Sequence, residues 1–100
     1  MGREQEHKDL WEVAAGSIKD PGTYLAKASD YAVTDTTARN LGRAIVESAV
    51  SGGRRALSSA SGLPRDQRTA EALSILQRAA TALQEVGYDP ATDTVVSRRR

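Results

Sequence analysis

The sequence has no cysteine, no phenylalanine, one histidine, one tryptophan and three prolines among its 100 residues. Without cysteine there is no disulfide framework, no thiolate nucleophile and no cysteine-ligated zinc, a usage that fits a reducing cytoplasm. A single histidine, His7, leaves any metal centre short of ligands, and no serine sits in a Gly-x-Ser-x-Gly setting that would suggest a nucleophile. No apolar run approaches the roughly 20 residues of a membrane span, and the first residues are charged rather than signal-like. The expectation is a cytoplasmic, non-enzymatic protein with no cofactor, no metal and no membrane partner.

Charge of one sign is also scarce. The formal net charge is +1, split unevenly between a slightly acidic first half and a basic second half whose excess is carried by Arg98, Arg99 and Arg100. A nucleic-acid binder shows a broader basic bias over its folded part, so nucleic acid is disfavoured as a partner. The lack of large aromatics leaves Ala, Leu, Ile and Val to build the core. At roughly 25 cal/mol per Å² of apolar area, an alanine seam contributes much less than a leucine seam of equal length. A second copy of the chain is a natural remedy.

What is present is helical periodicity. From Asp66 to Val86, a turn of about 100° per residue gathers Leu76, Leu83, Ala72, Ala79, Val86 and Ile75 on one half-cylinder, with Ala80, Leu73 and Ala82 at its margins. Gln77, Thr81, Gln84, Ser74, Arg78 and Glu85 fill the other half. Pro64 suits a first turn, and Gly87 followed by Pro90 suits a left-handed cap and a stop. Residues Arg3–Lys19 form a first helix, with His7, Leu10, Trp11, Ala14 and Ile18 on one face, ended by Asp20-Pro21-Gly22. Thr23 caps a second, shorter helix whose inner face is Tyr24, Leu25, Ala28, Tyr31 and Ala32.

A third helix starts at Thr36 behind an Asp35 cap. Its inner stripe of Ala38, Leu41, Gly42, Ile45 and Ala49 keeps phase across Gly52-Gly53 into Ala56 and Ala60. That predicts one helix to about Ala60, although a stop at Ser51 with a Gly-Gly turn is the competing reading. The short Ser61–Pro64 connector folds it back on Asp66–Val86. The expected fold is therefore all-α: a four-helix bundle over residues 1–90 with a central antiparallel helical hairpin, and an extended or disordered basic tail at 91–100. Thr92, Thr94, Val95 and Val96 have strand propensity, suited to a frayed end or to an edge pairing with another molecule.

Three groups of residues are candidates for function. Leu41, Gly42, Ile45, Ala49, Gly53 and Ala56 form a small-residue seam for close approach of another backbone. His7, Trp11, Tyr24 and Tyr31 are candidates to line a pocket for a small ligand or a reaction, though core packing explains the same residues. Arg98, Arg99 and Arg100 could meet nucleic acid or an acidic partner, but no interleaved aromatics supply a stacking platform. Asp89 and Asp93, either side of Pro90, read as turn residues rather than as an acid–base pair. Ser51-Gly52-Gly53-Arg54-Arg55 lacks the Lys-Ser/Thr of a phosphate loop.

The segment Leu83-x-x-x-Gly87-Tyr88-Asp89-Pro90, followed by Val95, Val96 and Arg98, resembles part of the effector half of bacterial ArsR-type winged-helix regulators. It covers about residues 71–98. The resemblance implies a bacterial stand-alone relative without the DNA-reading winged helix, regulated by a partner or ligand; no winged helix precedes the segment, and the Cys-containing strand that follows it in that family is absent. The functional expectation is a helical interaction or regulatory module, self-associating as a homodimer or docking on a protein partner. The alternatives are nucleic-acid binding through the Arg tail and a ligand-binding or enzymatic domain centred on His7, Trp11, Tyr24 and Tyr31.

Overall fold

Four stretches of apolar periodicity become four helices, of which α2 and α3 begin at side-chain caps and α4 ends at a left-handed glycine. The computed structural model describes the backbone of residues 2–96 and the side chains from Asp9 to Val96. The helices are α1 (Gly2–Lys19), α2 (Pro21–Tyr31), α3 (Asp35–Leu57) and α4 (Arg65–Val86), with a 3₁₀ turn at Ser59–Ser61. Two short strands follow, β1 (Tyr88–Asp89) and β2 (Thr94–Val95). The fold is an all-α bundle built on the antiparallel α3–α4 hairpin, which makes the most extensive contact in the chain. The other two helices lie against one side of that hairpin, α1 touching both α3 and α4 and α2 mainly α4.

The helix ends differ from the sequence reading in four places, one of them Pro64, which precedes α4 at its N-cap position instead of lying in its first turn. Asp20, not Thr23, caps α2: its carboxylate accepts from Thr23 N–H, and Thr23 lies inside a helix whose first residue is Pro21. Proline fits there because its missing N–H is one the helix leaves unused. Thr34, not Asp35, caps α3, through a reciprocal box in which each of Thr34 and Thr37 bonds the other's backbone. Gly52 and Gly53 lie inside α3, which runs to Leu57 rather than Ala60. The cap at Gly87, with φ 83°, is as expected, its N–H donating to the Leu83 carbonyl.

The strand-prone segment after Pro90 needs no second molecule. It folds back on its own chain, pairing Tyr88 with Val95 and Asp89 with Thr94 in an antiparallel hairpin. Asp89 shapes the turn by accepting from Ala91 N–H at 2.9 Å. Thus residues 91–96 of the expected basic tail are structured, and the arginines at its end lie outside the described residues.

Packing also rotates the inner face of α4. Ala72, Ile75, Ala79, Ala82 and Val86 are buried, whereas Leu76 and Leu73 are 49% and 54% exposed. Arg78, read from the sequence as an outer residue, is drawn toward α1. Its guanidinium donates to the Ile18 carbonyl and to Ser74 Oγ. The α1 C-terminus leaves that carbonyl without a helical donor, so the cation satisfies it while its methylenes lie on the bundle. Trp11, placed by periodicity on the inner face of α1, is 44% exposed.

Two glycines allow ring-to-backbone contacts. A Cβ at Gly42 would fall 2.2 Å from Tyr88 Cγ, and one at Gly16 2.5 Å from the Tyr24 ring. The buried Tyr88 is held by the β-hairpin close to its own backbone, while Tyr24 is half-buried on a helix surface, where its ring has more room to yield. Gly42→Ala is therefore expected to cost about 1–3 kcal/mol from overpacking, less the roughly 1 kcal/mol of gained helix propensity. Gly16→Ala should cost less. Thermal unfolding followed by circular dichroism checks this: the Gly42 variant melts several degrees lower and below the Gly16 variant, and an unchanged or raised midpoint contradicts the Tyr88 contact.

Candidate functional site

Both sides of the α3–α4 hairpin carry surface with recognition potential. On the side of α1, a cleft of about 520 Å³ opens between α1, α3 and α4. Trp11 and Ala15 of α1 form one wall, Ser48 and Ser51 of α3 the other, and Ile18, Gly52 and Ile75 the floor. Lys19 and Arg55, each in the last turn of its helix, stand at one end. Arg78 borders the cleft with Glu71 3.8 Å away. A neighbouring hollow of about 660 Å³ runs along the same groove and brings Trp11 to Tyr31 beside Thr37, Asn40 and Arg43.

The expected aromatic pocket is thus only partly assembled. Trp11 and Tyr31 line one hollow, and Tyr31 lines a second together with Tyr24, over whose ring Lys27 lies 4.7 Å away, but no hollow holds all three. The side chain of His7 lies outside the described residues, as do Arg98, Arg99 and Arg100. Among the described residues no group of three His, Cys, Asp or Glu side chains is placed to hold a metal ion, and no helix is long and apolar enough to cross a membrane.

The small-residue seam is occupied from within the chain. Leu41, Ile45, Ala49 and Ala56 are buried in the bundle, and the notch at Gly42 is filled by Tyr88. Gly53 alone of the six points its missing side chain into open space, with nothing within 4 Å of a Cβ placed there. Beside it the hairpin turns an apolar face away from α1 and α2. Val50 and Leu57 of α3 are 44% and 53% exposed, level with the exposed Leu73 and Leu76 of α4. The face runs on through Ala80 and Leu83 to Val96, where a hollow of about 600 Å³ lies between α4 and the β-hairpin. Periodicity gave an apolar arc on α4 wide enough to predict covering neighbours all along it; Leu73 and Leu76, placed within that arc, stay about half exposed instead.

At the edge of this face is a polar cluster that the sequence does not reveal. Arg43 grips Asp93 with two bonds, Nε to Oδ1 at 2.8 Å and Nη2 to Oδ2 at 2.5 Å. The Tyr88 hydroxyl donates to the same carboxylate at 2.5 Å. Asp93 reaches them by adopting φ 57°, a left-handed conformation that Asp tolerates better than most residues. The Arg43 bond, then that of Tyr88, holds the Asp93 carboxyl well below the usual carboxylate range. Burial, reinforced by the anionic Asp93, pushes the Tyr88 phenol above its ordinary value. These groups lock the β-hairpin onto α3; they leave no free base or nucleophile, and their chemistry is structural.

No protein-family model, curated protein or solved structure matches this chain in comparison with known proteins.

The cluster makes stability depend on pH in two directions. Because the Asp93 pKa is lower in the folded protein than in the unfolded chain, its contribution is present above the ordinary carboxylate pKa and is lost as pH falls through and below that range. The Tyr88 pKa is raised, so its contribution is present below the ordinary phenol value and is lost as pH rises past it. Asp93→Asn is expected to lower the melting temperature at neutral pH and to flatten the acid side of its pH profile. Melting curves from pH 2 to 8 on both proteins test this, and parallel profiles contradict the assignment.

Proposed function

We propose that the protein is a non-catalytic interaction module that self-associates through the open face of the α3–α4 hairpin. The observation that carries this reading is the run of Val50, Leu57, Leu73 and Leu76, each about half exposed on adjacent helices. Scattered surface leucines need no explanation, but a contiguous apolar face on a small protein marks an interaction site. On α4 the side chains at Gln77, Ala80 and Gln84 carry the face on from Leu73 without a charge, while on α3 Arg54, four residues after Val50 and three before Leu57, borders it.

Two further considerations favour a second copy as the occupant. α3 and α4 have nearly equal lengths of 23 and 22 residues, so a two-fold axis in the plane of the face stacks two hairpins into a four-helix arrangement with each helix on an antiparallel neighbour. The open part is on the order of 20 Å by 20–25 Å, judged from helix rise and spacing. About 400–500 Å² on each copy lies at the low end for specific interfaces and implies a weak, concentration-dependent dimer. Regulation by a partner or ligand, as the ArsR-type resemblance implies, is compatible with such a module. The segment carrying the resemblance is the end of α4 and the β-hairpin, which borders the face.

Sedimentation velocity across micromolar to millimolar concentrations tests the reading. The wild-type chain is expected to show a concentration-dependent dimer, and Leu76→Glu to weaken it at least tenfold while keeping the helical spectrum, since the residue is half exposed in the single chain. A wild-type protein that stays monomeric throughout, or a Leu76→Glu variant that dimerises as well as wild type, overturns it.

A further inference from the structure

We propose that the cleft between α1, α3 and α4 is a binding site for a small amphipathic carboxylate, its chain lying along Trp11 and Ile75 and its carboxylate held by Lys19 and Arg55. The inference is independent of self-association, because this cleft lies on the opposite side of the hairpin from the open apolar face.

Three features build the site. The first is size and lining: about 520 Å³ falls within the range of small-molecule sites. The second is the floor. Gly52 stands where any side chain would begin to cover Ile75, a Cβ there lying 3.5 Å from Ile75 Cδ1. Glycine is disfavoured by about 1 kcal/mol in a helix interior relative to alanine, yet here it leaves the apolar floor open between Trp11 and Ile18.

The third is polarity along the cleft. Trp11 and Glu47 stand at one end, Lys19 and Arg55 at the other. Each cation is eight residues further along its helix than its counterpart, a separation of about 12 Å at helical rise. That matches an extended chain of about eight carbons. Glu71 lines the same cleft but lies against Arg78, which leaves Lys19 and Arg55 as the cations without a carboxylate partner among the described residues. A ligand with an anionic head and an apolar tail is the chemistry that complements them. Favourable placement of cations at helix C-termini accounts for Lys19 and Arg55 separately, but not for their meeting at the head of one apolar groove.

Trp11 is the only tryptophan in the chain, so its fluorescence reports occupancy directly. Sodium octanoate is titrated against the full chain while Trp11 emission is followed, with octanol and octylammonium as equal-length controls. A saturable shift with octanoate alone is expected, with its midpoint raised at least tenfold in the Lys19→Gln, Arg55→Gln double variant and unchanged in Leu76→Glu. Gly52→Leu, which fills the floor, is expected to abolish the response while the helical spectrum is retained. The proposal is overturned by a linear or absent octanoate response, by equal responses to the neutral and cationic controls, or by a double variant that binds as wild type.

Discussion

The structure depends on how closely α3 and α4 approach each other. The buried residues of the two helices are mostly alanine, Ala38, Ala44, Ala49 and Ala56 on α3 and Ala72, Ala79 and Ala82 on α4. Small side chains let two helices lie near, which gives dense packing but little apolar area per residue. Among the described residues the largest fully buried side chains are Leu41, Ile45, Val86 and Ser17. A core this lean cannot tolerate much loss, so features at its margin matter more than they would in a leucine-rich bundle.

Tyr88 is the foremost of these marginal features. Among the described residues it is the one aromatic ring that is buried, and it gains its place because Gly42 offers no Cβ. The bond from its hydroxyl to Asp93 and the Arg43 fork fix the β-hairpin across α3. Arg43 and Asp93 are each about half exposed, so solvent screens their pairing and the energetic weight lies with the buried ring. The polar cluster sets where the ring sits; the ring closes the end of the hairpin. Arg78 plays a comparable part at the α1 side, joining the last turn of α1 to α4 through the Ile18 carbonyl.

The existence of the four helices and the pairing of α3 with α4 were legible because periodicity is a local signal. Gly52-Gly53 was read correctly within a helix because the apolar phase continued on either side of it. The orientation of α4 was not legible. Periodicity locates an apolar arc from Leu73 round to Ala82 but does not say which neighbours exist to cover it, and α1 and α2 both settle on the Ala82–Arg78 side, leaving Leu73 and Leu76 outside. For the same reason Trp11, on an apolar stripe, ends as the wall of a cleft. The contacts of Tyr88 with Gly42 and of Asp93 with Arg43 join residues about 50 positions apart, and no spacing rule connects them. A usable clue lay in Gly42 itself, a glycine on the buried stripe of a helix, which signals close approach without naming the group that approaches.

A lean core and an open apolar face are two results of one composition. A chain that spends its apolar residues as alanine in the seam and keeps Val50, Leu57, Leu73 and Leu76 outside has placed larger hydrophobes where its own helices do not reach. In the proposed dimer the second copy binds the folded chain and not the unfolded one, so that association would add to stability through mass action. The alanine seam inside and the leucine face outside are then coupled: the first keeps the two helices parallel enough to present the second as a single surface. A change that pushed α3 from α4 would weaken both the fold and the face. One that altered only the outer leucines would change association while leaving the folded chain intact.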